Sequence, residues 1–227
     1  LEDDFVNGRP ALEKVGVQFV DNVAPYELMK LRVLNGGHAA LAYPAGLMGI
    51  EFVHQAMQNT TITRYLDKLL SDEAIPSLPE VAGINVQDYL QIIKQRFSNP
   101  EIKDTIKRLY QDGQNRLPKF ILPTINDNLA NKRSINGLSL VIALWCKLCM
   151  QAGDDDSTID LLDDMSHDLA LVALRAKLEP EAFIAMSDVF AGLSNNELFV
   201  ISFKTWLYQL ERIGVEATLE NYINMKE

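Results

Sequence analysis

A chain of 227 residues, 48% hydrophobic and 23% charged, has the composition of an ordinary globular protein and the length to bury a full core. Its net charge of −10 argues against nucleic acid and anionic membrane surfaces as partners. No apolar run reaches the ~20 residues that span a bilayer, and the opening LEDDFVNGRP has no apolar stretch of the kind a signal peptide carries. The chain starts at Leu1 rather than Met, and it reads as a piece of something longer.

Residues 1–10 read as loop. VGVQFV, residues 15–20, alternates and is β-branched, which predicts a short strand. It is the sole convincing strand in the sequence, and a lone strand leaves its ladder groups without a partner in the chain. From residue 25 onward the apolar spacing is helical almost throughout. The helix across residues 25–57 has Asp21 or Asn22 as its cap and Pro25 near its start, and Pro44 is expected to kink or break it. TITRYLDKLLSDEA predicts a helix ending before Pro76. Residues 85–99 predict another, capped by Asn85 and stopped by Pro100. Residues 100–113 predict a helix ending on Gly113 as a C-terminal glycine. FILPTINDNLANKR and SINGLSLVIALWCKLCMQAG follow as helices. Ser157 with Asp160, and Ser194 with Glu197, have the spacing of capping boxes, each before a further helix. TLENYINM closes the chain. The sequence has no repeats, and the fold class it predicts is mainly α with one short N-terminal strand.

Cys146 and Cys149 stand in WCKLC, whose spacing matches a redox pair. They lie inside an apolar helix rather than at a helix N-terminus, where the dipole would lower a thiol pKa. Buried, reduced core thiols are the better reading, and they fit a cytoplasmic protein. Asp154, Asp155 and Asp156 lack the glycine and the downstream glutamate of a calcium loop and read as a solvated turn before a helix. His54 and His167 have no supporting neighbours in sequence. No His, Cys and Glu set has zinc spacing, so no metal site is predicted.

The stretch KLRVLNGGH, residues 30–38, is the exception to this ordinary pattern. Two consecutive glycines inside a helix cost roughly 1 kcal/mol each relative to alanine. At about 100° per residue, His38 lies about 80° and Asn35 about 140° around from Lys30, so the three share one broad face. Such a face also suits a polar surface helix, with a snorkelling lysine and a satisfied histidine. Gly36 and Gly37 favour a site, because glycines bare the backbone to close approach by a ligand or another backbone.

These residues carry a resemblance. GRPALEKVGVQFVDNVAPYELMKLRVLNGGHAALAYPAGLMG, then LPEVAGINVQDYLQIIKQRFSNPEIKDTIKRLYQDGQNRLPKFILPTI, and more weakly GVEATLENYI, resemble the long-chain, metal-independent polyol dehydrogenases. That family includes mannitol 2-dehydrogenase, arabinitol dehydrogenase and hexuronate reductases such as fructuronate reductase. The likeness covers essentially the whole chain, and K-L-R-x-L-N-G-x-H is its specific core. It implies an N-terminal Rossmann-type domain for NAD or NADP followed by a mostly helical domain bearing the catalytic residues. This chain matches the second part and has no G-x-G-x-x-G. Residues 1–24 are then a linker and a strand from the interdomain seam, and residues 25–227 the helical domain. The resemblance makes Lys30 the general base, Asn35 a donor to the developing alkoxide and His38 a partner of the substrate hydroxyls. Burial and the nicotinamide charge would bring Lys30 into a working range. Arg108 falls where the family has a substrate-contacting arginine. Arg116 and Lys119, on the following loop, are further cations that also suit a solvated surface. Gly36 and Gly37 are expected to face the cofactor. The implied partners are a sugar alcohol or ketose and the chain's own Rossmann-type domain, and the implied reaction interconverts mannitol and fructose, with the fructuronate–mannonate pair as the alternative. As an isolated helical piece, the chain is expected to be inactive.

Overall fold

The structure, a computed structural model, describes residues 1–153, Leu161 and residues 166–226. The fold is helical. Ala24–Met29 forms α1, which runs through a π-helical segment, Lys30–Asn35, straight into α2, Gly36–Leu47. Then come α3 (Val53–Ala56), α4 (Thr60–Leu69), a second π segment (Leu70–Ala74), α5 (Val86–Phe97), α6 (Ile106–Tyr110), α7 (Gly113–Phe120) and α8 (Leu122–Ala130). The chain continues with α9 (Asn136–Ala152), α10 (Ser166–Arg175), α11 (Glu181–Ile184), α12 (Ser187–Phe190) and α13 (Glu197–Asn224). Side-chain caps start several of these helices: Asn59 accepts from the Ile62 N–H, Asn85 from those of Gln87 and Asp88, and Thr105 from that of Arg108.

The core forms around α9, which is apolar on nearly every side and therefore has to be wrapped. It packs against α2, α10 and α13. At one end Trp145 meets Phe183 edge to face, with ring centroids 4.8 Å apart, inside a cluster completed by Phe190, Phe199 and Phe203. Both cysteines lie buried within α9 as thiols outside any disulfide, as their apolar setting predicts, and burial pushes the Cys146 thiol well above its ordinary range. At the other end of α9 sits Glu73, 1% exposed. Its carboxylate accepts from the Gly137 and Leu138 N–H groups at 2.7 and 2.9 Å, from the Ser134 hydroxyl and from the Tyr222 hydroxyl. Those N–H groups are the unpaired donors of a helix start, so a buried carboxylate caps the central helix. Burial pushes the Glu73 carboxyl up, and the hydrogen bonds oppose that shift. The second π segment carries Glu73 and packs against the first one.

Several local expectations are overturned. VGVQFV is not a strand: Leu12–Val15 is a 3-10 turn, and the segment's ladder is a single parallel bridge between Glu2 and Val20. Residues 1–24 include no buried residue, so nothing in the described chain covers or extends that segment. Pro44 does not break α2. It lies buried inside a helix that continues to Leu47, and packing on all sides offsets the one backbone hydrogen bond that proline removes. Gly113 does not end α6. It opens α7, while Asp112 takes the left-handed conformation with φ 59°. Glycine is needed there because a Cβ would overlap the indole of Trp145. The cap before α13 is Asn196, which accepts from the Phe199 N–H, because Ser194 belongs to a preceding 3-10 turn. Asn22, one of the two residues expected to cap α1, does accept from the Ala24 N–H. The aspartate run at 154–156 and the Ser157–Asp160 pair lie outside the described residues, as does the side chain of His167.

Candidate active-site cleft

The first π segment builds the site. A π-helix closes its hydrogen bonds from i to i+5 rather than i+4, so it winds more slowly than an α-helix. Asn35, five residues after Lys30, is thereby returned toward the lysine's own face, where α-helical winding would leave it about 140° away. His38 follows on the next turn, in α2. Lys30, Asn35 and His38 line one cleft of about 370 Å³. Its remaining walls come from Leu34, Ala39, Tyr43, Arg96, Arg108, Leu109, Arg116 and Phe120. Four of these lining residues are cations and none is an aspartate or glutamate.

The three motif residues differ in setting. Lys30 is exposed, so the burial expected of it is not supplied by any part of the described chain. Asn35 is half-buried. His38 is half-buried and stacks on Phe97, with ring centroids 4.2 Å apart and planes at 17°. Burial brings its pKa down to about 4. The Asp104 carboxylate works against that shift, and Arg108, Arg96 and Arg116 work with it. His38 is therefore a neutral imidazole near pH 7, with one ring nitrogen donating and the other accepting.

The double glycine lies against other parts of the protein, one of them a backbone carbonyl. Gly36 and Gly37 are buried. A Cβ on Gly36 would lie 3.4 Å from the Phe120 carbonyl oxygen and 3.7 Å from Ile121 Cδ1. One on Gly37 would meet Leu70 Cδ1 at 3.4 Å and the Phe97 ring at 3.6 Å. An added side-chain carbon at either position would stand at ordinary van der Waals distance from its neighbours: the Phe120 backbone of α7 for Gly36, and Leu70 and Phe97 for Gly37.

The expected cations separate. Arg108 lines the cleft and is held by a bidentate ion pair, its Nε and Nη2 donating to Asp104 at 2.8 and 2.7 Å. Arg116 also lines it, and its Nη1 donates at 2.7 Å to the Leu109 carbonyl and at 3.2 Å to that of Arg108, groups left over at the end of α6. Arg116 and Lys119 stand on α7, not on a loop, and Lys119 is exposed and outside the cleft lining. Residues with no sequence signal also arrive here. Arg96 comes with α5, because Phe97 beside it packs on Gly37 and His38. Tyr43 comes one turn and more after His38 on α2, and burial pushes its phenol up. His54, stacked on Phe52, shares with His38 and Arg108 an adjoining recess of about 90 Å³. Among the described residues, no group of three His, Cys, Asp or Glu is arranged to hold a metal ion, and no helix is long and apolar enough to cross a membrane.

The domain is multi-helical, and its cleft presents a lysine, an amide, a neutral imidazole and three arginines. The chain belongs to the mannitol dehydrogenase C-terminal domain family, whose profile matches residues 22–211. It is 45% identical to mannitol 2-dehydrogenase of Cereibacter sphaeroides over 98% of this chain and 47% of the relative, and 33% identical to that of Emericella nidulans over 99% of this chain and 45% of the relative. In three dimensions it resembles Pseudomonas fluorescens mannitol 2-dehydrogenase, solved as a ternary complex with NAD and D-mannitol, with a TM-score of 0.90 and 36% identity over 99% of this chain and 46% of that one. A substrate-free D-sorbitol dehydrogenase matches with a TM-score of 0.81 and 28% identity over 96% of this chain and 45% of that one. The chain thus spans about half the length of the relatives it matches.

Proposed function

We propose that this chain is the substrate-binding, proton-transferring half of a metal-independent, NAD(P)-dependent polyol dehydrogenase that interconverts a hexitol such as mannitol and a ketose such as fructose. The convergence of Lys30, Asn35 and His38 on one cleft carries the reading, and the likeness to mannitol 2-dehydrogenases supports it. The residues here fit the substrate side of that reaction and not the dinucleotide: the glycines are packed, and no G-x-G-x-x-G occurs in the chain. A nicotinamide cofactor, held by an N-terminal Rossmann-type domain joined through residues 1–24, supplies hydride acceptance. This chain's side chains act on the oxygen. Lys30 Nζ takes the proton of the hydroxyl being oxidised. The Asn35 amide donates to that oxygen as negative charge builds on it. Neutral His38 donates to one neighbouring hydroxyl and accepts from another. Arg108 and Arg116 orient the rest of the polyol. The reduced, buried thiols suit a cytoplasmic enzyme.

The alternative within the family, a hexuronate reductase, draws on one observation. Arg96, Arg108 and Arg116 surround a cleft whose lining has no acid, a setting that also suits a substrate carboxylate.

The test is made in the full-length enzyme with D-mannitol and D-mannonate as rival substrates. Mannitol is expected to be the better substrate, and Lys30→Ala is expected to lower its oxidation by ~10²–10⁴-fold. Near-normal turnover of the Lys30→Ala enzyme would remove the lysine from the mechanism, and a preference for mannonate would transfer the assignment to the hexuronate branch.

A further inference from the structure

The segment that precedes Arg108 is anchored more firmly than a surface loop requires. Phe52 and Thr105 form an antiparallel bridge. The Val53 N–H donates to the Asp104 carbonyl at 3.0 Å, and the Ile106 N–H donates to the Glu51 carbonyl at 2.9 Å. The Thr105 hydroxyl then caps α6. This clamp holds the backbone from the Asp104 carbonyl to the Ile106 N–H; the Asp104 side chain is only 16% exposed, while that of its partner Arg108 is 57% exposed. Both carboxylate oxygens are spent on Arg108. With its guanidinium largely exposed, such a pair contributes little to stability. What a fork-to-fork pair provides is geometry, because both planar groups are locked together. Of the five guanidinium hydrogens, Asp104 engages two, on Nε and Nη2, and leaves three for the cleft that Arg108 lines.

We infer that Asp104 is a positioning residue that fixes the Arg108 guanidinium in the cleft and so sets the affinity for the polyhydroxylated substrate. This rests on the reading of the cleft as the substrate site. Asp104 also faces His38 electrostatically, where its charge opposes that of the arginines, so it stands beside the site as well as before the helix of Arg108. Burial works to raise its own pKa, but the Arg108 bond prevails and holds the carboxyl below the usual range, so the clamp is closed throughout the neutral range.

The experiment is a double-mutant cycle in the full-length enzyme with D-mannitol, using Asp104→Asn, Arg108→Ala and the pair, with Asp104→Glu as the charge-conserving variant. Asp104→Asn is expected to lower kcat/KM roughly 10- to 100-fold, the scale of a misplaced binding group, mainly through KM. NAD affinity and the thermal midpoint should stay near those of the parent. Asp104→Glu should recover much of the loss, and adding Asp104→Asn to Arg108→Ala should cost nothing more. If Arg108→Ala raises KM and Asp104→Asn does not, or if the two losses simply add, the positioning role is overturned. If Arg108→Ala leaves KM unchanged, the reading of the cleft fails and the inference falls with it. Should Asp104→Asn unfold, Asp104→Ser takes its place: it should raise KM in the parent background and cost nothing more beside Arg108→Ala, and an unchanged KM overturns the role.

Discussion

At the scale of single residues, the site depends on His38 staying uncharged among arginines. Its pKa falls from the ordinary 6.5 to about 4, chiefly because burial against Phe97 removes it from water. The unfolded chain therefore binds a proton between about pH 6.5 and pH 4 that the folded chain refuses. Stability rises with pH wherever the unfolded state holds more protons. The contribution of His38 is thus fully present above pH 6.5 and is lost as pH falls toward 4. Thermal midpoints of the parent and of His38→Gln should diverge across that window, the parent losing stability more steeply on acidification. Parallel curves would show that the imidazole is not shielded as its surroundings require. Lys30 makes the opposite contrast. It is exposed, so its role depends on what covers the mouth of the cleft. In the full-length Lys30→Ala enzyme, small primary amines should restore part of the lost mannitol oxidation, since they can enter the vacated space and accept the proton. Absence of any rescue, together with intact turnover, would reduce Lys30 to a surface lysine.

At the scale of elements, two π segments do the shaping. The first brings Asn35 round toward Lys30, and the second delivers Glu73 to the start of α9. They are coupled through Arg32, buried on the first segment. It donates to the Ser77 carbonyl at 2.8 Å and forms an ion pair with Asp127 of α8. Asn128 then joins α8 to the Glu73 carbonyl at 2.9 Å. The site helix and the capped end of the central helix are therefore joined by one polar network, buried at Arg32, Asn128 and Glu73 and half-exposed at Asp127. Glu73→Leu would strand the Gly137 and Leu138 N–H groups without an acceptor. Each buried unsatisfied donor costs about 1–3 kcal/mol, so the loss of the two should be about 2–6 kcal/mol in urea unfolding. A change below about 0.5 kcal/mol would mean that another group or water takes the carboxylate's place.

At the scale of the molecule, the chain is proposed to carry one side of a two-sided reaction. The cleft opens beside an exposed lysine, and residues 1–24 have no fully buried residue. The cofactor is proposed to come with the Rossmann-type domain. Residues 1–227 by themselves should therefore show no micromolar NADH site in calorimetric titration and no polyol turnover, while the same residues joined to that domain should show both. A micromolar NADH site in the chain alone would require a dinucleotide site that neither the packed glycines nor the sequence provides.

What the sequence determined by itself was the periodic and the chemical: helices from residue 25 onward, caps such as Asn85, buried thiols at Cys146 and Cys149, and a shared face for Lys30, Asn35 and His38, which line one cleft. These are legible because apolar spacing and capping chemistry act over a few residues. Tertiary structure decided the rest. The π winding at Lys30–Asn35 has no composition signal, since the same side chains suit an α-helix, and it persists because packing around Arg32 and the second π segment holds it. The strand expected at 15–20 failed for the complementary reason. β-branched alternation needs a neighbouring edge to become a strand, and the described chain offers only Glu2. Gly113 reads as a helix stop in sequence and starts a helix in the fold, because Trp145, distant in the chain, occupies the place of its side chain. The same long-range packing brings Arg96 and Arg116 to the cleft and leaves Lys119 outside it. A side chain's chemistry is written locally, but which way it faces is settled by what packs behind it.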